Sequence, residues 1–290
     1  MRHAGRACAN LGRRAYSAAT TAAAPPPPPA PRQRTALVQG SNRGLGLEFV
    51  RQLLLRPDTA AVVATCRSPG NAAALQALAA AQPAGRLSIL QLDSTDERSI
   101  AAAAEQVAAR QDHLDVLINA SGILHDDGMS PETALARVTM DNLLKCFQVN
   151  AAGHILVCSA FAPLLAAAKS QNGATEEHPA VVANLSARVG SIGDNRLGGW
   201  YSYRASKAAV NQLTKCMAVE FERRQQHVAA ILLHPGTVDT DLSRPFQKNV
   251  PAEKLFTRER AIQQLLAIID RTSMAENGRF YDWQGAEVEW

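Results

Sequence analysis

The sequence predicts an α/β fold: one doubly wound domain around a mainly parallel seven-stranded sheet. Three observations predict it. From Thr35 onward, short continuous apolar runs alternate with longer helical stretches. Strands buried on both faces read as unbroken apolar runs, and β-α alternation implies right-handed crossovers between parallel strands. No period of roughly 20–50 residues recurs, which removes repeat architectures. An apolar content of 47% over 290 residues supplies a core of domain size.

In chain order, the strand-like runs are 36–39, 61–66, 87–92, 116–119, 180–184, 228–233 and 279–282. Each is short, apolar and bounded by turn residues or charge. The helical stretches between them are 45–55, 72–80, 100–110, 131–150, 155–168, 203–223 and 258–270. Residues 151–168 carry no charge over eighteen positions, long enough to consider as a membrane span. Gly153, His154, Ser159 and Pro163 interrupt the run, and it is rich in Ala rather than Leu. It reads as a buried or interface helix, so no membrane partner is expected.

The ends differ in composition. Residues 1–34 hold six Arg and no acid, among them Arg2, Arg6, Arg13 and Arg14. An Arg-rich, Ser-containing, acid-poor stretch without an apolar segment is the composition of an organelle transit peptide rather than a secretory signal. Arg14-Ala15-Tyr16-Ser17 resembles a mitochondrial processing site, and a plastid presequence overlaps it in composition. The expected address is the mitochondrion, with the chloroplast as alternative. Pro25–Pro29 form a stiff spacer, placing the catalytic domain at 35–290. The overall +4 charge is carried by the leader, which leaves residues 35–290 at a net −2 and without the basic patch a nucleic-acid partner requires. Cys8, Cys66, Cys146, Cys158 and Cys216 are odd in number and unpaired by spacing, so they read as small core residues. His125, His154, His227 and His234 show no metal-ligand spacing, and no metal is expected.

The chemistry lies where strands end. In doubly wound sheets, ligands sit beyond the carboxyl ends of the strands. The first strand runs into Gly40-Ser41-Asn42-Arg43-Gly44-Leu45-Gly46 and then a helix. Glycines there let the backbone approach a pyrophosphate, and the helix N-terminus offers free N–H groups, as in a Rossmann-type dinucleotide site. The second strand ends at Arg67, where a site for a free ribose hydroxyl usually carries an acid. A cation at that place, with Arg43 beside it, favours the 2′-phosphate of NADP over NAD. Tyr203 and Lys207 stand four residues apart on one helix face. A phenol titrates near 10, and a neighbouring ammonium is expected to lower it toward acid–base use.

Gly40-x-x-x-Gly44-x-Gly46, Asn119-Ala120-Ser121-Gly122, Asn150, Ser186 and Tyr203-x-x-x-Lys207 together resemble the short-chain dehydrogenase/reductases, in that family's order. The runs 184–194 and 234–240 look like the C-factor-like reductases of plants and algae. The resemblance implies Tyr203 as general acid for carbonyl reduction and base for the reverse, with Lys207 lowering its pKa and bonding the nicotinamide ribose. Ser186 would bond the substrate oxygen, and Asn150 would anchor a water of the proton relay. Asp93 would meet the adenine, Asn119, Ala120 and Gly122 would line the cleft, and Pro235, Gly236, Thr237, Val238 and Thr240 would pass the nicotinamide. It also implies a homodimer or homotetramer through helices 155–168 and 203–222. Gln39 and Ser121 depart from the family's usual residues, and the 190–201 loop, longer than in many members, should be mobile. Tyr201 has Ala205 four residues on and is the weaker acid–base candidate; Phe246 and Phe256 are candidates for a substrate lid. The reading is an NADP-dependent oxidoreductase acting on a small carbonyl/alcohol pair. The same chemistry with NAD, or a non-catalytic cofactor sensor of the same fold, are the alternatives.

Overall fold

The computed structural model describes residues 32–126 and 128–290. The 1–34 leader and spacer therefore lie, up to residue 31, outside the described residues. The chain order is β1 (Arg34–Gln39), α1 (Gly44–Leu54), β2 (Thr59–Cys66), α2 (Ala73–Ala80), β3 (Leu87–Gln91), α3 (Glu97–Ala108) and β4 (Val116–Asn119). Then come α4 (Met140–Phe147), α5 (Gly153–Gln171), β5 (Ala180–Leu185), α6 (Tyr201–Arg223), β6 (Val228–His234) and β7 (Thr237–Val238). β8 (Leu255–Phe256), α7 (Arg258–Arg271) and β9 (Phe280–Asp282) complete it.

Seven strands form one sheet in the order β3-β2-β1-β4-β5-β6-β9, every neighbouring pair parallel. Alternate residues of each strand face opposite layers. Ala36 and Val38 of β1 pack with Phe49, Val50 and Leu53 of α1 and with Ile262 and Leu265 of α7. Leu37, between them, packs in the opposite layer with Val157, Phe161 and Leu165 of α5 and Phe221 of α6. The strand order reverses between β1 and β4, which opens a crevice at their carboxyl ends.

Three departures from the sequence reading have physical causes. The expected 131–150 helix begins only at Met140, where the Thr139 hydroxyl accepts from Asn142 N–H. Residues before it form a loop with one 3-10 turn, Leu135–Arg137, because Glu132 is drawn inward to another helix. α4 and α5 are joined through a π turn, Gln148–Ala152, that carries Asn150. Single π turns in α-helices frequently mark functional positions. β7 and β8 form a separate parallel pair. Two-residue strands are too short to leave a periodic signal. By length and composition, Met140–Gln171 would suffice to cross a membrane, but Val157, Cys158, Phe161, Leu165 and Ala168 are fully buried against the sheet.

Candidate active site

The glycine turn after β1 is built for close approach. Gly40 and Gly44 take φ of 81° and 57°, conformations that L side chains rarely adopt. A Cβ on Gly46 would lie 2.1 Å from the Gly40 carbonyl oxygen, so the turn closes on itself only with glycine there. Arg43 precedes α1 with extended backbone and no side-chain cap, and the first turn carries no acid. The N–H groups and positive end of that helix face the crevice uncovered, a donor set suited to a pyrophosphate.

The cations follow. Arg67 is exposed at the end of β2, and among the described residues no acid pairs with it. Arg43 reaches Asp241 at 3.5 Å with both side chains more than half exposed, a pairing worth little in water. The Gly44 turn and Thr240 also approach, since a Cβ on Gly44 would sit 3.9 Å from the Thr240 methyl. Asn42 and Leu45 border the same opening, as do Ala120, Gly122, Pro235, Gly236 and Thr237, none of them buried. Asp93 is half-buried and already accepts from the Thr95 N–H and hydroxyl at 2.9 and 2.7 Å through one oxygen. Its other oxygen makes no hydrogen bond among the described residues.

Three expected cofactor contacts are turned inward. Ser41 is fully buried, and both its N–H and its hydroxyl go to the Thr65 carbonyl. Asn119 is fully buried and ties β4 to β5 by donating to Asn184 Oδ1 at 2.8 Å. Val238 is buried in the small core of β7 and β8 with Phe256. These residues shape the crevice from beneath; their side chains do not line it.

Tyr203 and Lys207 sit in the first two turns of α6, both buried. Lys207 Nζ donates to the Leu185 carbonyl at 2.8 Å and stands 5.8 Å from the Tyr203 ring centroid. It also lies 3.8 Å from where a Cβ on Gly122 would be, which puts it at the cleft floor. Burial lowers Lys207 to a pKa of about 8. Burial, reinforced by the nearby Cys146 thiol, raises Tyr203 well above a free phenol. Burial shifts Tyr203 in the direction opposite to the lowering expected from Lys207. Tyr203 is a neutral phenol with a proton to give.

Asn150 is fully buried and joins this helix to the loop after β4. Its Oδ1 accepts from Ile123 N–H at 2.8 Å, while Nδ2 donates to the Ile123 carbonyl at 2.9 Å and to Ser206 Oγ at 3.0 Å. Ser206 in turn donates to the Tyr203 carbonyl at 2.8 Å. Ser186 departs from expectation. It is buried, and its hydroxyl donates to Asn211 Oδ1 at 2.6 Å, so its proton is spent on α6. The next residue, Ala187, is half-buried and offers no hydroxyl.

Sequence reasoning missed the wall above Tyr203. Trp200, at φ 50°, meets Tyr203 edge-on at 6.3 Å and Phe246 at 5.0 Å, with His125 beyond Phe246 at 6.3 Å. Phe256 lies apart, against Trp283 at 5.2 Å. The 190–201 loop, expected to be mobile, is tied down: Gly193 N–H reaches the Trp290 carbonyl at 2.9 Å, and Arg204 bonds the Gly198, Gly199 and Val189 carbonyls. Tyr201 is 38% exposed and makes no side-chain hydrogen bond among the described residues.

The short chain dehydrogenase family profile matches residues 34–251. An uncharacterised oxidoreductase of Schizosaccharomyces pombe is 30% identical over 269 residues, covering 89% of this chain and 99% of that protein. The C-signal protein of Myxococcus xanthus is 35% identical over 61% of this chain and 93% of its own length. The NADPH-bound carbonyl reductase from chicken fatty liver superposes with a TM-score of 0.79 at 33% identity, covering 89% of this chain and all of that one. With the glycine turn, the Tyr203–Lys207 pair and a sheet of the same topology, the chain belongs to the short chain dehydrogenase family and is an NAD(P)-dependent oxidoreductase.

Proposed function

We propose that the protein is an NADP(H)-dependent reductase of a small carbonyl substrate, with Tyr203 as its proton donor. One observation carries the reading: Tyr203 is a buried phenol one turn from Lys207, whose Nζ is held on the Leu185 carbonyl at the floor of the crevice. Bound there, the nicotinamide cofactor supplies the hydride or takes it up. Tyr203 Oη gives its proton to the oxygen that was the carbonyl, and in the reverse direction takes it back. Lys207 Nζ, anchored on Leu185, stands beside that exchange as a second proton source and as a donor to a ribose hydroxyl. Both amide hydrogens of Asn150 are committed, so a relay water would have to bond Oδ1 as donor. Ser186 braces Asn211, so polarisation of the substrate oxygen rests on Tyr203.

The residues that would hold the cofactor are the 40–46 turn for the pyrophosphate, Arg67 and Arg43 for the 2′-phosphate, and Asp93 for the adenine. Ala120, Gly122, Pro235, Gly236, Thr237 and Thr240 would flank the remainder. The exposed Arg67, without an acid partner among the described residues, supports the phosphorylated cofactor, as does the NADPH carried by the chicken enzyme. The relatives it matches include fungal and bacterial oxidoreductases, so a place among the C-factor-like reductases of plants and algae rests on the runs 184–194 and 234–240. The acid-free leader supports an organelle address, mitochondrial or plastid, which import of a fluorescent fusion of residues 1–34 tests. Leu144 and Phe147 are 60% and 37% exposed and line an apolar groove with Ala151, Ile155 and Leu213, which supports a homo-oligomer through this face.

The test is a titration with NADPH and with NADH, followed by turnover on a panel of aliphatic and aryl aldehydes, ketones and diketones. NADPH is expected to bind at least ~10-fold tighter, and Arg67→Asp to erase or reverse that ratio by removing a phosphate partner and repelling the phosphate. An unmoved ratio removes Arg67 from the site.

A further inference from the structure

Helix α6 begins without any of the usual devices. Its N-cap is Trp200 in the left-handed region at φ 50°, ψ 44°; no side chain of its own caps it, and no acid stands in its first turn. The cap comes from elsewhere. Glu132, in the loop after β4 and only 3% exposed, accepts from Ser202 N–H at 3.2 Å through Oε2 and from the Ser202 hydroxyl through Oε1. Its backbone carbonyl accepts from Trp200 N–H at 2.6 Å. A carboxylate seventy residues distant in sequence thus supplies both the acceptors and the negative charge that a helix start favours.

The loop has a second attachment to the site, because Ile123 holds both ends of the Asn150 amide. We propose that Glu132 is a positioning residue: it fixes the first turn of α6, and with it Tyr203 and Trp200, against the loop that carries the Asn150 contact. The rest of α6 does not depend on it. Val210, Asn211, Thr214, Met217, Ala218 and Phe221 bury the later turns of the helix, while Glu132 acts at its N-terminal end, beside the bonds that Arg204 and Lys207 make. That division predicts a loss in turnover out of proportion to any loss in stability or cofactor binding. The inference rests on Tyr203 being the proton donor.

The experiment uses the full chain and the carbonyl from the panel that wild type reduces fastest. Glu132→Ala should lower kcat by ~100-fold, the effect of an ångström-scale misplacement, with KM and NADPH affinity within ~3-fold. Glu132→Gln, which keeps an acceptor for Ser202 N–H and a donor for its hydroxyl, should recover to within ~5-fold of wild type. Ser202→Ala should be intermediate and add nothing in the Glu132→Ala background. Folded Glu132→Ala with unchanged kcat overturns the proposal, as does parallel loss of kcat and NADPH binding, or a Gln variant no better than Ala. If Glu132→Ala does not fold, unchanged kcat in Ser202→Ala overturns it. Tyr203→Phe separates the two readings. Activity kept in Tyr203→Phe removes Tyr203 as donor, whereas activity lost there and kept in Glu132→Ala removes Glu132 alone.

Discussion

The two ends of the sheet treat charge in opposite ways. At the amino end Asp115 is 1% exposed yet fully engaged: it accepts from Thr35 N–H at 2.8 Å and Asn172 at 2.9 Å, and pairs with Arg32. His113 stands 3.2 Å from it. Nearby, Asp270 takes Arg34 at 2.8 Å together with Arg56. Burial alone would raise the Asp270 pKa, but these hydrogen bonds hold it below the usual carboxylate range. At the carboxyl end Lys207 is buried with a carbonyl instead of a carboxylate, Tyr203 makes no hydrogen bond through its hydroxyl among the described residues, and Arg67 has no acid. The lesson is where satisfaction stops. Charges are cancelled where the sheet is only held together, and left open where a ligand and a proton must be met.

Four substitutions break or sharpen that contrast, taken from the largest effect down. Tyr203→Phe removes the proton at the open end and should cost ~10³-fold or more in kcat while NADPH affinity stays within a few fold. Steady-state kinetics with a parallel titration check it; retained turnover would place the donor elsewhere. Asp115→Ala removes the centre of the closed end, taking the acceptor from Arg32 Nη2 and Thr35 N–H while Arg32 keeps its bond to the His178 carbonyl. Urea unfolding should show a loss of about 3 kcal/mol, with kcat per folded molecule unchanged. A catalytic defect without destabilisation would erase the division between the ends.

Lys207→Met tests the cost of an uncompensated buried cation. The folded-state pKa of about 8 lies below the ordinary lysine value of 10.5, so the unfolded chain binds more protons across that window. Stability therefore rises with pH between those values, and below about 8 the charged lysine is a full penalty. The variant should be inactive and melt ~2–4 °C higher at pH 7 for each kcal/mol relieved, the gain fading above pH 10.5. A lower Tm throughout would mean that the bond to Leu185 outweighs desolvation. Ser186→Ala is the smallest. With its hydroxyl bonded to Asn211, it should lose about 1 kcal/mol of stability and no more than ~3-fold in kcat. A loss of ~100-fold would return that hydroxyl to the substrate.

Much of the fold was legible because its signals are local. The β4 run 116–119 coincides with the observed strand, and the remaining sheet strands differ by one or two residues at their ends. The 131–150 stretch misled because its residues have helical propensity, while Glu132 answers to a helix far along the chain. In the site, Tyr203, Lys207, Asn150 and the glycine turn do come together around the crevice. Ser41, Asn119 and Ser186 lie in the right segments but turn their side chains inward, a choice that motif spacing does not encode. Glu132 and Trp200 left no signal, since neither belongs to a pattern in its own neighbourhood.

The sequence by itself determined the order of strands and helices, the glycine turn after β1 and the one-turn spacing of Tyr203 and Lys207. Each depends on residues within a few positions of one another, where chain geometry alone sets who can meet. Only the tertiary structure decided that burial raises the Tyr203 pKa, that Ser186 bonds Asn211 and that Glu132 caps α6. Those outcomes depend on burial and on partners 25 to 70 residues away, and desolvation acts only once the chain has closed around a group.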